Sequence, residues 1–165
     1  MLLAESRRFV TRGSQAGQCT FRPSFPAHRM TALPEDFFDR ESFSSTLGIE
    51  YEEFGPDRIV ATMPVTPRVH QEHGYLHGGA SVVLAESVAS VGAHISSPSD
   101  KIAFGLEINA NHIRPKKEGV LRAIGTPLHK GRTTQVWEVR IEDEDQRLIC
   151  ISRCTIALVD ANDAA

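Results

Sequence analysis

Residues 47–65 alternate apolar and polar positions on either side of Gly55–Pro56–Asp57. This is the pattern of two half-buried strands, Leu47–Phe54 and Arg58–Val65, joined by a turn. From Gly79 to Ile95 the alternation stops and apolar residues run almost unbroken, which predicts one long helix. After a turn at Pro98–Asp100 the alternation returns in Lys101–Ile113, with Ile102, Phe104, Leu106 and Ile108 on one side. Three more strands are expected at Val120–His129, Thr133–Glu142 and Arg147–Val159, separated by Lys116–Gly119, Lys130–Arg132 and Asp143–Gln146. A short amphipathic helix is expected at Pro34–Phe43, with Phe37, Phe38 and Phe43 as its apolar contacts, and a loop at Thr66–Leu76. Successive strands joined by short turns make an antiparallel sheet. Runs of strands around a single central helix read as α+β rather than doubly wound.

The long helix carries one carboxylate, Glu86, among Val82, Leu84, Val88, Val91 and Ala93. On a wheel of about 100° per residue, Gly79, Val82, Ser90 and Ala93 fall within about 40° of Glu86, and apolar residues cover the remaining directions. A helix apolar all round is buried all round. The sheet is therefore expected to wrap it, and its Glu86 face to meet the same helix of a second subunit. A buried Glu needs a partner or a job. It is either satisfied by an Arg or by backbone N–H groups, or held in a dry cleft for nucleophilic attack or proton abstraction. Ser90, one turn on, can hydrogen-bond that carboxylate or a water beside it.

Gly78 and Gly79 put bare N–H groups at the positive end of the helix, a place for a developing oxyanion. The pair could equally serve only a tight turn. Gly78 and Glu86 are eight residues apart, about 12 Å at about 1.5 Å per residue. Reacting groups must come within roughly 3–3.5 Å of their target. One acyl carbon cannot be served by both from one chain, so joint action predicts a dimer with two shared sites.

Composition narrows the class. The chain has 165 residues and a net charge of −3, room for one domain and no global basic field for nucleic acid. Ala80–Ile95, the longest apolar run, is broken by Ser81, Glu86, Ser87, Ser90 and His94, so no membrane span is expected. Three cysteines, Cys19, Cys150 and Cys154, give no disulfide framework and no zinc spacing, compatible with a reducing cytoplasm. On one strand, Cys150 and Cys154 would stand about 13 Å apart, too far to bond. Residues 1–30 hold five arginines and one acid and lack a signal-peptide core. They read as a disordered tail, faintly like a transit peptide, with Met30 an alternative start; residues 31–160 form the domain.

Gln71-x-x-Gly74-x-x-His77-Gly78-Gly79-Ala80 followed by Leu84-Ala85-Glu86-Ser87 resembles the hotdog-fold acyl-CoA thioesterases. The likeness runs from about Phe37 to Val159 and includes Gly105–His112, Pro127-Leu128-His129-x-Gly131 and Gln135-Val136-Trp137. It is most similar to the branch acting on 1,4-dihydroxy-2-naphthoyl-CoA in menaquinone biosynthesis. The resemblance implies an antiparallel sheet wrapped around one helix, in homodimers and often dimers of dimers. It gives Glu86 the role of nucleophile or general base, and Gly78 N–H and Gln71 that of polarising the thioester carbonyl. His77 would lie near the departing thiolate, and Ser90 would position water or Glu86. Gly105, His112, Ile113, Arg114, Pro115, His129, Lys130, Gly131, Arg132, Thr133 and Thr134 would contact coenzyme A, which is part of the substrate rather than a cofactor. No metal is expected.

Arg114, Lys116, Lys117, Lys130 and Arg132 suit phosphates, and the expectation is that they gather on two adjacent turns; a solvated basic edge would look the same. His112, taken alone, reads as an inward, satisfied histidine, and Trp137 as a core aromatic. His73 and Tyr75 stand where close relatives tend to be apolar, which loosens the naphthoyl assignment more than the thioesterase one. The activity expected is hydrolysis of an aromatic acyl-CoA. Two alternatives stand beside it: a proofreading thioesterase for mis-acylated aryl carrier proteins, and a non-catalytic acyl-CoA-binding protein.

Overall fold

In the computed structural model of the chain, Leu33, Phe37, Phe38 and residues 40–162 are described. The expected tail 1–30, the start at Met30 and Cys19 lie outside the described residues. Six strands are present: β1 (Glu50–Phe54), β2 (Ile59–Val65), β3 (Lys101–His112), β4 (Gly119–Lys130), β5 (Thr134–Glu142) and β6 (Leu148–Asp160). They form one antiparallel sheet in the order β1-β2-β4-β5-β6-β3. The helices are α1 (Phe43–Thr46) and α2 (Gly78–Ile95), with a single 3-10 turn at Pro67–Val69 inside the expected loop.

Successive strands pair at β1–β2, β4–β5 and β5–β6, where alternating runs meet across short turns. β3 and β4 do not pair. β3 follows the helix onto the far edge beside β6, and residues 113–118 cross the end of the sheet to reach β4. That crossing is fixed by main-chain bonds: Ile113 and Arg114 N–H donate to Ile149 O at 2.8 and 3.3 Å, and Leu76 N–H to Lys116 O at 2.8 Å.

α2 packs against β2 through β6 and is the axis of the core. Leu84, Ala85, Val88, Ala89 and Ala93 on it are wholly buried. Two glycines let helix and sheet approach. A Cβ on Gly92 would lie 2.6 Å from Trp137 Cη2, and one on Gly125 would lie 2.5 Å from Val88 Cγ1. The wholly buried Trp137 donates from Nε1 to Gln135 Oε1 at 2.8 Å, and Gln135 Nε2 donates to Ser97 Oγ at 3.1 Å, so the polar atoms of this cluster are satisfied. By length and mean hydropathy of 1.2, α2 is apolar enough to cross a membrane, contrary to the expectation that no segment is. Its polar residues are mostly small serines, which lower the hydropathy little, and the sheet around it makes it the core helix.

The expected helix Pro34–Phe43 is not seen in its described part. Residues 40–42 are non-helical, and α1 starts at Phe43. Ser42 caps it in an extended conformation (φ −148°), in a reciprocal box: Ser42 Oγ accepts from Ser45 N–H at 3.1 Å and Ser45 Oγ from Ser42 N–H at 2.9 Å. The first strand also begins later than expected. Leu47 caps α1 and Gly48 takes φ +71°, so the extended run starts at Glu50.

Candidate active site

The open stripe of α2 is Gly79, Val82, Val83, Glu86, Ser87, Ser90 and His94, the spacing of one helical face. Ala93, expected on this face, is wholly buried instead. Glu86 and Ser90 line a cavity of about 610 Å³. Its wall is aromatic, with Phe37, Phe38, Phe43 and Tyr51. Phe38 packs on Tyr51 with ring centroids 4.7 Å apart, and Phe37 stacks on His94 at 6.0 Å. Burial pushes the His94 pKa down and the Tyr51 phenol up. No cation pairs with Glu86 among the described residues. The carboxylate lies over the backbone of Gly105, where a Cβ would come 2.5 Å from Oε1. Cys154, on β6, is close enough for Glu86 to help raise its thiol to about 12, with burial the larger cause.

The other end of α2 opens into a second cavity of about 400 Å³, shared by Gln71, Gly78, His112, Ile113, Arg114 and Pro115. His77 is the helix N-cap. Its Nδ1 accepts from Gly79 N–H at 2.8 Å, which leaves the proton of the neutral ring on Nε2. Gly78 N–H, in the first turn, has no acceptor within the helix. A side chain at Gly78 would strike the His112 ring, 2.7 Å from the Cβ position to Nε2. His112 is exposed and covers this helix end, rather than pointing into the core as its strand position suggested. Gln71 is set by a turn through Gly74 (φ +75°), with Gly74 N–H donating to Gln71 O at 2.9 Å. Its side-chain Oε1 accepts from His73 N–H, so its amide hydrogens are free to donate. Ser81 Oγ, buried beside this cavity, has no hydrogen-bond partner among the described residues.

The family model described as the thioesterase superfamily matches residues 73–150. The 1,4-dihydroxy-2-naphthoyl-CoA hydrolase of Listeria monocytogenes is 53% identical over 113 residues, 68% of this chain and 92% of that one. A proofreading thioesterase of Cronobacter turicensis is 44% identical over 113 residues, 68% of this chain and 82% of that one. The crystal structure of a Haemophilus influenzae thioesterase superposes with a TM-score of 0.75 at 41% identity, covering 81% of this chain and 94% of that one. This chain belongs to the thioesterase superfamily. It has the hotdog fold and is a thioester hydrolase, which removes the non-catalytic binding alternative.

For a thioesterase, the places of the expected coenzyme A contacts matter. His112–Pro115 lie at the Gly78 cavity, whereas His129–Thr134 form the β4–β5 turn. Cross-strand register puts that turn level with Gly105: Lys130 faces Gln135, Gln135 faces Ile156, and Ile156 faces Gly105. The basic residues therefore do not gather on two adjacent turns within one protomer. Residues 114–117 precede β4, whereas Lys130 ends it and Arg132 follows it, so the length of that twelve-residue strand separates them, about 40 Å at about 3.3 Å per residue. Lys116 is tied to Glu144, and Lys130 to Asp57 at 2.6 Å. Arg114 donates to Leu148 O at 2.7 Å, and Lys117 lies over the Tyr75 ring at 4.7 Å.

Sequence reasoning passed over Tyr51, Ser87, Ser44 and Ser81. Ser87 was legible as the neighbour of Glu86 on the open stripe. Tyr51 and Ser44 come from another part of the chain and carry no signal until folded.

Proposed function

We propose that this thioesterase hydrolyses an aromatic acyl-CoA, 1,4-dihydroxy-2-naphthoyl-CoA foremost, at two sites each built from both protomers of a homodimer. The observation that carries the reading is the separation within one protomer. Glu86 opens into one cavity and the Gly78–Gln71 donors into another. A second protomer with its helix antiparallel would bring one protomer's carboxylate to the other's donors. The outer edge of β3 supports such pairing: it has no strand beyond it and exposes Phe104 and Leu106. The aromatic wall of the Glu86 cavity and the naphthoyl-CoA hydrolase among the relatives support an aromatic acyl group.

In this reading, Gly78 N–H and the free amide hydrogens of Gln71 hold the carbonyl oxygen as it gains charge. Glu86 attacks the carbonyl carbon, the C–S bond breaks to release the thiolate, and water then cleaves the acyl–Glu86 anhydride. Alternatively, Glu86 takes a proton from a water that Ser90 positions, and that water adds to the carbon directly. His77 Nε2–H faces the departing thiolate. His112–Pro115 and His129–Thr134 hold coenzyme A, one stretch from each protomer, and Gly105, whose backbone lies under Glu86, bounds that site. Arg114, Lys117 and Arg132 are better placed for phosphates than Lys116 and Lys130, which carboxylates already engage. No metal is required. The buried free thiols Cys150 and Cys154 suit a reducing cytoplasm.

The test is thiol release from dihydroxynaphthoyl-, benzoyl-, phenylacetyl- and medium-chain aliphatic CoA, with Glu86→Gln beside the wild type. Preference for the aromatic esters, lost by several orders of magnitude in a folded variant, supports the proposal. Full activity in Glu86→Gln overturns the role of the carboxylate. The likeness to the Cronobacter turicensis protein supports a second reading, proofreading of mis-acylated aryl carrier proteins. A higher kcat/KM on carrier-bound than on coenzyme A-bound ester would favour it.

A further inference from the structure

Three hydroxyls stand together in the wall of the Glu86 cavity. Ser44 Oγ, from α1, lies 3.0 Å from Ser87 Oγ on α2, and the Tyr51 phenol on β1 is near enough to Ser87 for that hydroxyl to temper the rise in its pKa. All three residues line the cavity alongside Phe37, Phe38 and Phe43. Three hydroxyls bring three donor hydrogens; the Ser44–Ser87 bond uses one, and a bond from Ser87 to Tyr51 could use a second. At least one hydrogen and several lone pairs remain, and no hydrogen-bond partner outside the cluster is found for these oxygens among the described residues. Burial holds the Tyr51 phenol above its ordinary pKa, so it stays a neutral O–H donor across the working pH range.

We propose that Ser44, Ser87 and Tyr51 form a hydroxyl-reading subsite that selects acyl groups carrying a ring hydroxyl. The inference rests on the aromatic acyl-CoA reading above and assigns these residues the choice among aromatic esters. An unsubstituted ring seated against the aromatic wall strips water from the cluster and leaves its surplus hydrogen unpaired, which disfavours that ester. A ring hydroxyl accepts that hydrogen and can return its own to a spare lone pair. A carboxylate substituent could accept it too but would sit beside Glu86, the residue next to Ser87, and be repelled.

The experiment measures kcat/KM for the wild type, Tyr51→Phe and Ser87→Ala on two esters, 1,4-dihydroxy-2-naphthoyl-CoA and 2-naphthoyl-CoA. Tyr51→Phe keeps the ring that packs on Phe38 and Phe54, so the wall survives. The wild type should prefer the hydroxylated ester, and each variant should lose about 3–10-fold on that ester while the plain naphthoyl ester changes little. Parallel losses on both esters, or no loss on either, overturn the subsite. If the wild type cleaves aliphatic esters and neither naphthoyl ester, the aromatic reading has failed and the subsite falls with it. The wild-type rates alone reveal that case.

Discussion

Gly105→Ala moves the proposed catalytic carboxylate without altering it. Gly105 lies on β3 with no left-handed backbone requirement, so an alanine there brings no φ strain. Its new Cβ would stand 2.5 Å from Glu86 Oε1, while the next atom, Cδ, is 3.5 Å away. Carbon contacts settle near about 3.5 Å, so the carboxylate must retreat by about 1 Å. It can do so cheaply, because it is the end of a flexible side chain, and the fold should hold. A 1 Å misplacement at a reacting group costs on the order of 100-fold in rate, about 2.7 kcal/mol of barrier at about 1.36 kcal/mol per tenfold. The assay is steady-state thiol release, with circular dichroism and size-exclusion chromatography as controls for fold and assembly. The expected result is kcat down about 100-fold, KM little changed and both controls unaltered. Wild-type kcat in a folded variant would refute the placement of Glu86 over Gly105. Raised KM at unchanged kcat would show that Gly105 serves coenzyme A and not the carboxylate.

Two further predictions concern stability. Gly92→Ala gains about 1 kcal/mol of helix propensity, but its Cβ would press Trp137 at 2.6 Å, and that ring is wholly buried and tethered to Gln135. Overpacking of this kind costs about 1–3 kcal/mol, a net loss of up to about 2 kcal/mol after the propensity gain, so Tm should fall by up to about 8 °C; a rise in the thermal melt would contradict the packing. Glu144 is held down to about 2, chiefly by its hydrogen bond to Lys116. A carboxyl depressed in the folded state stabilises above its ordinary value near 4.5 and loses that contribution as pH falls toward 2. Glu144→Gln should therefore flatten the decline of the urea midpoint across that window, modestly because the pair is solvent-screened, and superimposable slopes would show that the pair contributes nothing.

The sequence by itself determined the strands and the one long helix. A period of two and an unbroken apolar run are local patterns; the helix expected to be buried all round instead keeps one open stripe through Glu86, which the sheet of its own chain does not cover. The sequence also determined that Glu86 and the Gly78 donors cannot serve one carbon from one chain, because helical rise fixes their separation. The pairing of β2 with β4 and of β3 with β6 was decided only by the tertiary structure. Nothing local in Lys101–His112 says that it skips β4 for the edge beside β6. For the same reason, the basic residues at 114–117 and 130–132 looked adjacent in the chain, yet a whole strand of the sheet holds them apart. The turn at Ser42 that shortens α1, the His112 ring on Gly78 and the meeting of Ser44, Ser87 and Tyr51 were likewise not readable beforehand. Each joins residues distant in sequence or depends on a cap geometry, and such contacts exist only once the sheet has closed around the helix.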